Sequence, residues 1–166
     1  KGHEFYRAAR NVGGEFIQIS PASKNCINIM EIRKVDNSVN ELLDGPTLDA
    51  SALAGKIQRL HIFFSLLIPD MSHEEKQLLD EALIKTYARK GITHKNESLT
   101  DPQHPEQYKK MPILEDVYNV LLESEDTKRL AHILNRLVHG SASSFNQQTN
   151  VDLTNKYTVL DISELT

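Results

Sequence analysis

Ser144-Phe145-Asn146-Gln147-Gln148-Thr149-Asn150-Val151-Asp152-Leu153, followed by Lys156-Tyr157-Thr158-Val159-Leu160-Asp161-Ile162, is the stretch whose reading decides the fold. An amide-rich polar loop runs into a β-branched and aromatic segment, which has the composition of a buried strand. The strand covers residues 157–162 and reaches Asp161, a carboxylate at the C-terminal edge of a sheet. Open α/β sheets bind their ligands at that edge. Most of the remaining chain has helical periodicity, so this strand needs a partner from a distant part of the sequence.

The partner is found near the start. Phe5, Ala8, Ala9 and Val12 recur at helical spacing, Gly13-Gly14 ends that helix, and Glu15-Phe16-Ile17-Gln18-Ile19 alternates as a strand does. Ser20-Pro21-Ala22-Ser23 is a turn. The apolar run Ile27-Asn28-Ile29-Met30-Glu31-Ile32 reads equally as strand or loop. Residues 33–50, with Asp44-Gly45-Pro46, read as a surface loop.

Between the two strands the pattern is helical. Ser51 caps a helix to about Ile68 that turns Leu53, Ile57, Leu60, Phe63, Phe64 and Leu67 to one face. Pro69-Asp70 breaks it, and Ser72-His73-Glu74-Glu75 forms a capping box for a second helix. That helix carries Leu78, Leu79, Ala82, Leu83 and Tyr87 inward and stops at Gly91. The short connection predicts antiparallel packing. Residues 92–111 hold Pro102 and Pro105 among charges and read as a long exposed connection. Pro112 opens a third helix with Leu114, Val117, Tyr118, Leu121 and Leu122 inward. A fourth runs from about Asp126 to His139, with Leu130, Ile133, Leu134 and Leu137 inward, and Gly140 ends it. The fold class is therefore α/β but mainly helical. It divides into a partial α/β segment over 1–50, a helical insertion over 51–140 and a returning loop and strand over 141–166.

Bulk properties narrow the classes. The chain has 166 residues, 39% hydrophobic and 25% charged, which suits one domain with a core. A net charge of −4 gives no global attraction to nucleic acid, so any such contact needs a local basic patch. A single cysteine, Cys26, excludes an internal disulfide and fits a reducing compartment. The apolar run around Ile62 to Ile68 falls well short of the ~20 residues that span a bilayer. Lys1-Gly2-His3-Glu4-Phe5-Tyr6 has no apolar signal-peptide core and does not begin with Met, so a processed or excised chain is expected.

Few motifs survive a chemical test. Gly55-Lys56 lacks the rest of a phosphate loop: Ala50 and Ile57 stand where Gly and Ser/Thr are needed, within a helix. Tyr157-Thr158-Val159-Leu160-Asp161 has the outline of a Walker B strand, but Ile162 replaces the glutamate that would polarise water. Asp161 is thus a weak metal or nucleotide candidate beside its simpler role of satisfying backbone amides. The seven histidines form no H-E-x-x-H pair, and no Ser lies in a nucleophile elbow, so neither a metal site nor a catalytic triad is expected. Arg129, His132, Arg136 and His139 share one face of the fourth helix, with Lys128 beside them. That basic face could meet DNA phosphates, nucleotide or an acidic partner. Alternatively it is solvated and paired to Glu115, Asp116 or Glu123. Asn146, Gln147, Gln148 and Asn150 place four side-chain amides within five positions. They could orient a phosphate, a water or a neighbouring subunit's backbone, or simply build a turn.

Three stretches in order carry a family likeness: Gly13-Gly14-Glu15-Phe16-Ile17-Gln18-Ile19-Ser20-Pro21 with Ile27-Asn28; Met111-Pro112-Ile113-Leu114-Glu115-Asp116-Val117-Tyr118; and Phe145-Asn146-Gln147-Gln148-Thr149-Asn150-Val151 leading to Val159-Leu160-Asp161-Ile162-Ser163-Glu164-Leu165. Together these resemble the VirB/TraC-type motor ATPases of conjugative type IV secretion systems, in particular the TraE/TrsE-like ones. Ile29 stands where that family usually has Pro.

The resemblance implies a middle segment of a RecA-like ATPase domain carrying an inserted all-α subdomain. Lys1 to Tyr6 look like the residues just after the family's Asp-Pro strand end, with the phosphate loop upstream. The family's Walker B strand lies beyond Thr166. ATP and magnesium are implied for the parent, with no cofactor, catalytic or metal residue carried onto this chain. A homo-hexamer docked on a secretion channel at the cytoplasmic face of the membrane is implied likewise, with possible DNA contact. The alternative is a self-contained helical module that docks DNA or protein through its basic fourth helix.

Overall fold

The computed structural model describes residues 15–19, 24–33, 51–140, 142–150 and 156–160. The expected helix over 4–12, residues 34–50 of the expected loop, and Asp161 lie outside the described residues.

Strands β1 (Glu15–Ile19) and β4 (Lys156–Leu160) pair in parallel, with Glu15 opposite Lys156 and Ile19 opposite Leu160. Parallel neighbours require a crossover connection. Here the crossover contains every other described element, as the sequence pattern predicts for a helical block between two strands of one sheet.

Local chemistry sets the helix boundaries. Helix α1 (Ala52–Leu67) begins at Ser51, whose hydroxyl accepts from the Ala54 amide at 3.1 Å. Helix α2 (His73–Ala88) begins at the predicted capping box: Ser72 Oγ accepts from Glu75 N, and Glu75 Oε1 accepts from Ser72 N, both at 3.1 Å. The two helices form an antiparallel hairpin. Mid-helix His61 Nε2 lies 2.9 Å from Asp80 Oδ1. At the open end, Ser51 Oγ lies 3.0 Å from His94 Nδ1, and Asn96 Oδ1 accepts from Ala52 N at 3.0 Å.

Residues 92–111 form the exposed connection expected from sequence, and they carry regular structure of their own. A short 3₁₀ turn (Asn96–Leu99) leads into β2 (Thr100–Asp101) and β3 (His104–Tyr108), an antiparallel hairpin with a register shift between Thr100 and Asp101. Buried Ile92, Leu99 and Met111 anchor its base. Asp101 Oδ1 accepts from Gln103 N at 2.9 Å and builds the turn. His104, Pro105, Glu106 and Gln107 are all exposed, so no apolar alternation marks β3. A proline is tolerated there because the strand has a free edge.

Helices α3 (Leu114–Leu121) and α4 (Lys128–Val138) complete the bundle, linked by a 3₁₀ turn over Glu125–Thr127. Leu114, Val117, Val120 and Leu121 are buried, whereas Leu122, expected inward, is 42% exposed as the α3 C-cap. Leu130, Ala131, Leu134, Leu137 and Val138 form the inner face of α4. One core unites these helices with Ile29, Met30 and Ile32. The 24–33 segment contains an Ile29-Met30 turn in place of a strand, closed by Glu31 N to Asn28 O at 3.1 Å. Tyr87, buried in α2, donates its hydroxyl to the Met30 carbonyl and fixes that turn to the bundle.

Candidate functional site

The amide loop folds against the 24–33 segment and supplies hydrogen bonds that a regular sheet would otherwise provide. Asn150 Oδ1 accepts from Cys26 N at 2.7 Å, Asn150 Nδ2 donates to Lys24 O at 3.1 Å, and the Asn150 amide donates to Cys26 O at 3.1 Å. Thr149 Oγ1 accepts from Asn28 N at 3.0 Å and donates to Glu31 Oε2 at 3.1 Å. Gln148 Nε2 donates to Met111 O at 2.9 Å, while its Oε1 accepts from Asn28 Nδ2 at 3.3 Å.

Asn146 is the most enclosed of the group. Its Oδ1 accepts from Glu115 N at 2.6 Å, in the first turn of α3, and its Nδ2 donates to Val138 O at 3.3 Å, at the end of α4. One buried amide therefore satisfies orphan groups at two helix ends. Gln147 is exposed, as Gln148 and Asn150 are, but alone of the four has no hydrogen bond to any described residue. The structure thus brings Asn146, Gln148 and Asn150 together as a backbone-satisfying staple and leaves Gln147 available to an outside group.

Sequence reasoning missed the two residues that complete the staple, Thr149 and Asn28. Asn28 is buried and uses its whole amide: Oδ1 accepts from Met30 N at 3.0 Å, and Nδ2 donates to Pro112 O at 2.8 Å. A lone polar residue inside an apolar run was the available signal.

The basic face of α4 is exposed along its length, but its charges are unequally available. Arg129 Nη1 lies 2.9 and 2.8 Å from the two Glu75 carboxylate oxygens, and Nη2 lies 2.6 Å from Asp70 Oδ2. The Asp70 and Glu75 hydrogen bonds hold its guanidinium above the ordinary arginine value. Lys128 pairs with Glu125, and His139 lies 3.8 Å from Glu115 with its ring edge-on to Tyr118. His132 and Arg136 have no ion pair with a described residue. Of the partners expected from sequence, Asp116 instead caps α3 by accepting from Ile113 N at 2.8 Å. Glu123 pairs with Lys85 and Arg89, whose hydrogen bonds pull its carboxyl below the usual range.

Among the described residues no cluster of His, Cys, Asp and Glu could hold a metal ion. None of their helices is long and apolar enough to cross a membrane.

No family model matches the chain, and no curated protein matches it in sequence. Its fold is similar to that of VirB4 of Thermoanaerobacter pseudethanolicus, at a TM-score of 0.64 and 23% identity over 94% of this chain. The match covers 55% of the VirB4 chain, so the present chain spans about half the length of that protein.

Proposed function

We propose that this chain is the middle segment of a VirB4/TraC-type motor ATPase of a type IV secretion system. The single observation that carries the reading is the likeness in fold to VirB4 across nearly the whole chain. The parallel pairing of β1 with β4 around a helical block supports it, since an inserted all-α subdomain in a RecA-like domain would take that form. In this reading the phosphate loop and the catalytic carboxylates belong to other parts of the parent. ATP and magnesium bind there, and the parent assembles as a homo-hexamer at the cytoplasmic base of a conjugation channel. Hydrolysis then drives DNA or protein transfer, or pilus assembly. In the assembled parent the Asn146–Asn150 loop lies near a subunit or nucleotide boundary, and the exposed Gln147, whose side chain is not spent on the staple, makes the contact.

Two measurements test this. Isothermal titration of the 166-residue chain with ATP-Mg should give no heat of binding, and micromolar affinity would overturn the assignment of nucleotide contacts to other parts of the parent. The encoding reading frame should carry G-x-x-x-x-G-K-[ST] before Lys1 and an apolar run ending in Asp-Glu after Thr166. A frame with neither would sink the family reading itself.

The second reading, a helical module docking DNA through α4, draws on His132 and Arg136, the two members of that basic face without an ion pair to a described residue. It is weakened by Arg129, whose charge is already met by two carboxylates. Salt-dependent DNA binding by the chain that is lost in Arg136→Ala would favour it over the motor reading.

A further inference from the structure

A second concentration of positive charge, apart from that on α4, sits at the base of the β2–β3 hairpin. Lys90 follows the C-cap of α2, Lys95 is the N-cap of the 3₁₀ turn over Asn96–Leu99, and Lys109 and Lys110 follow the end of β3. Three hydrogen bonds draw these positions together: Lys109 Nζ donates to Gly91 O at 2.8 Å, Lys109 N to Leu99 O at 2.8 Å, and Ser98 N to Lys95 O at 2.9 Å. Lys90, Lys95 and Lys110 are exposed, and Lys109 is half-buried. None of the four has an ion pair with a described residue, and Lys109 bonds a neutral carbonyl. Lys85 and Arg89, just before them in the chain, are different, because both are spent on Glu123.

A single cation after a helix C-terminus is accounted for by the helix dipole. Four gathered at one hairpin base repel one another, and in a chain of net charge −4 they reverse the sign of the charge locally. The carboxylates of the same stretch do not offset them. Glu97 is exposed and has no ion pair with a described residue. Asp101 Oδ1 accepts from Gln103 N inside the turn, and Glu106 lies 3.8 Å from His104 on β3. Ile92, Leu99 and Met111 are buried, so the surface offers charge and no large apolar side chain to enter a bilayer or hold a partner's helix. Tyr108 packs against the core and so presents no open ring to unpaired bases. Lysine ammoniums are point charges on flexible stems, suited to phosphate oxygens whose direction is not fixed.

We propose that the hairpin base is a contact surface for the phosphate backbone of double-stranded nucleic acid, bound through charge and without reading of base sequence. Lys90, Lys95, Lys109 and Lys110 meet phosphates and displace their counterions. The surface escapes notice in the sequence because Asp101 and Glu106 lie between the two pairs of lysines. The inference rests on charge placement alone. Its failure would leave the motor-ATPase reading untouched, since the ATP titration and the reading frame test that separately.

Fluorescence anisotropy of a labelled DNA duplex of about 20 base pairs tests it on the full chain across a salt series. Micromolar binding is expected at low salt, with log affinity falling against log salt at a slope of about −3 to −4. Lys90→Gln, Lys95→Gln and Lys110→Gln combined should weaken binding about tenfold or more and make the slope shallower by about 3. Glu97→Gln should tighten binding, a gain that a misfolded variant could not give. Circular dichroism melts should be unchanged by all four substitutions, which fall at exposed positions. Lys76→Gln on α2 and Arg136→Ala on α4 should bind as wild type. The proposal is overturned if the duplex fails to bind at low salt, or if the triple variant keeps the wild-type slope. It is overturned likewise if Arg136→Ala weakens binding as much, which would assign nucleic acid to α4. Tighter binding of phosphatidylglycerol vesicles or of poly-glutamate, lost in the same triple variant, would overturn it in favour of a lipid surface or an acidic protein.

Discussion

Asn150 and Cys26 lie 124 positions apart, yet the Asn150 side chain accepts the Cys26 amide at 2.7 Å while its backbone amide donates to the Cys26 carbonyl at 3.1 Å. The pair makes two reciprocal bonds as neighbouring strand residues would, although neither segment is a strand. With Thr149 and Gln148 bonded to Asn28, the loop acts as an irregular extension of chain pairing, and side-chain amides take the place of peptide groups.

The staple predicts a sharp contrast between neighbouring amides. Asn146→Ala strands an amide of α3 and a carbonyl of α4 in the interior and should cost about 2–4 kcal/mol by urea unfolding. Gln147→Ala should stay within about 0.5 kcal/mol, as surface substitutions do. If both cost the same, the partition between staple and exposed position is wrong. If Gln147→Ala is neutral, any loss of activity it causes in the parent reports on function and not on folding.

The tie between α4 and α2 should be acid-labile. Burial pushes the Glu75 carboxyl up, but its bond to the Ser72 amide and the Arg129 guanidinium outweigh this and hold it below the usual range. A carboxyl lowered by folding contributes stability above its unfolded value, and that contribution is lost as pH falls through the folded one. Arg129 stays charged throughout. Arg129→Gln should therefore lower the melting temperature at pH 7, and the gap from wild type should narrow as pH falls through the lowered Glu75 value, below the ordinary carboxylate range. A constant gap across that range would mean that Arg129 acts through packing alone.

How much of this was legible follows the nature of the signals. Ser51, Ser72 with Glu75, and Gly91 mark helix ends through their own side chains or lack of one, so those boundaries could be read locally. The pairing of residues 15–19 with 156–160 was legible from two β-rich runs flanking a helical block. The β2–β3 hairpin was not, because His104-Pro105-Glu106-Gln107 faces water throughout and carries no alternation. Thr149 and Asn28 were missed because their partners lie 121 residues apart, and hydrogen-bond satisfaction at that range leaves no local pattern. Val120 is buried and Leu122 exposed because α3 ends at Leu121 and its last turn leaves the core.

Tyr87 offers an alkaline counterpart to Glu75. Burial pushes its phenol well up, against a smaller opposing pull from Arg59. A phenol raised by folding contributes stability below its unfolded value and loses it as pH rises. Stability should thus fall above about pH 10, and Tyr87→Phe should remove that part of the loss. At neutral pH the same variant should cost about 1–2 kcal/mol, since the Met30 carbonyl is left without its donor. Spectrophotometric titration should show an ionisation step that appears only on unfolding and is absent in Tyr87→Phe, and a difference between the two that appears before unfolding would refute the assignment.

Two glycines that end helices should respond differently to the same added methyl group. Gly91 has φ +76°, where an alanine is strained by about 1 kcal/mol, but the nearest atom to a new Cβ is Lys109 Nζ at 3.1 Å, the end of a flexible chain. At Gly140 a Cβ would lie 2.6 Å from the Arg136 carbonyl oxygen and 3.1 Å from its Cα, and that backbone belongs to α4. Relief there requires the last turn of α4 to shift, which should cost about 1–3 kcal/mol and more than Gly91→Ala. The shift would also move the Val138 carbonyl that Asn146 Nδ2 reaches at 3.3 Å. Gly140→Ala and Asn146→Ala should therefore be less than additive in urea unfolding, because the second change removes a bond the first has already strained. Strict additivity would show that the end of α4 and the amide staple are energetically separate.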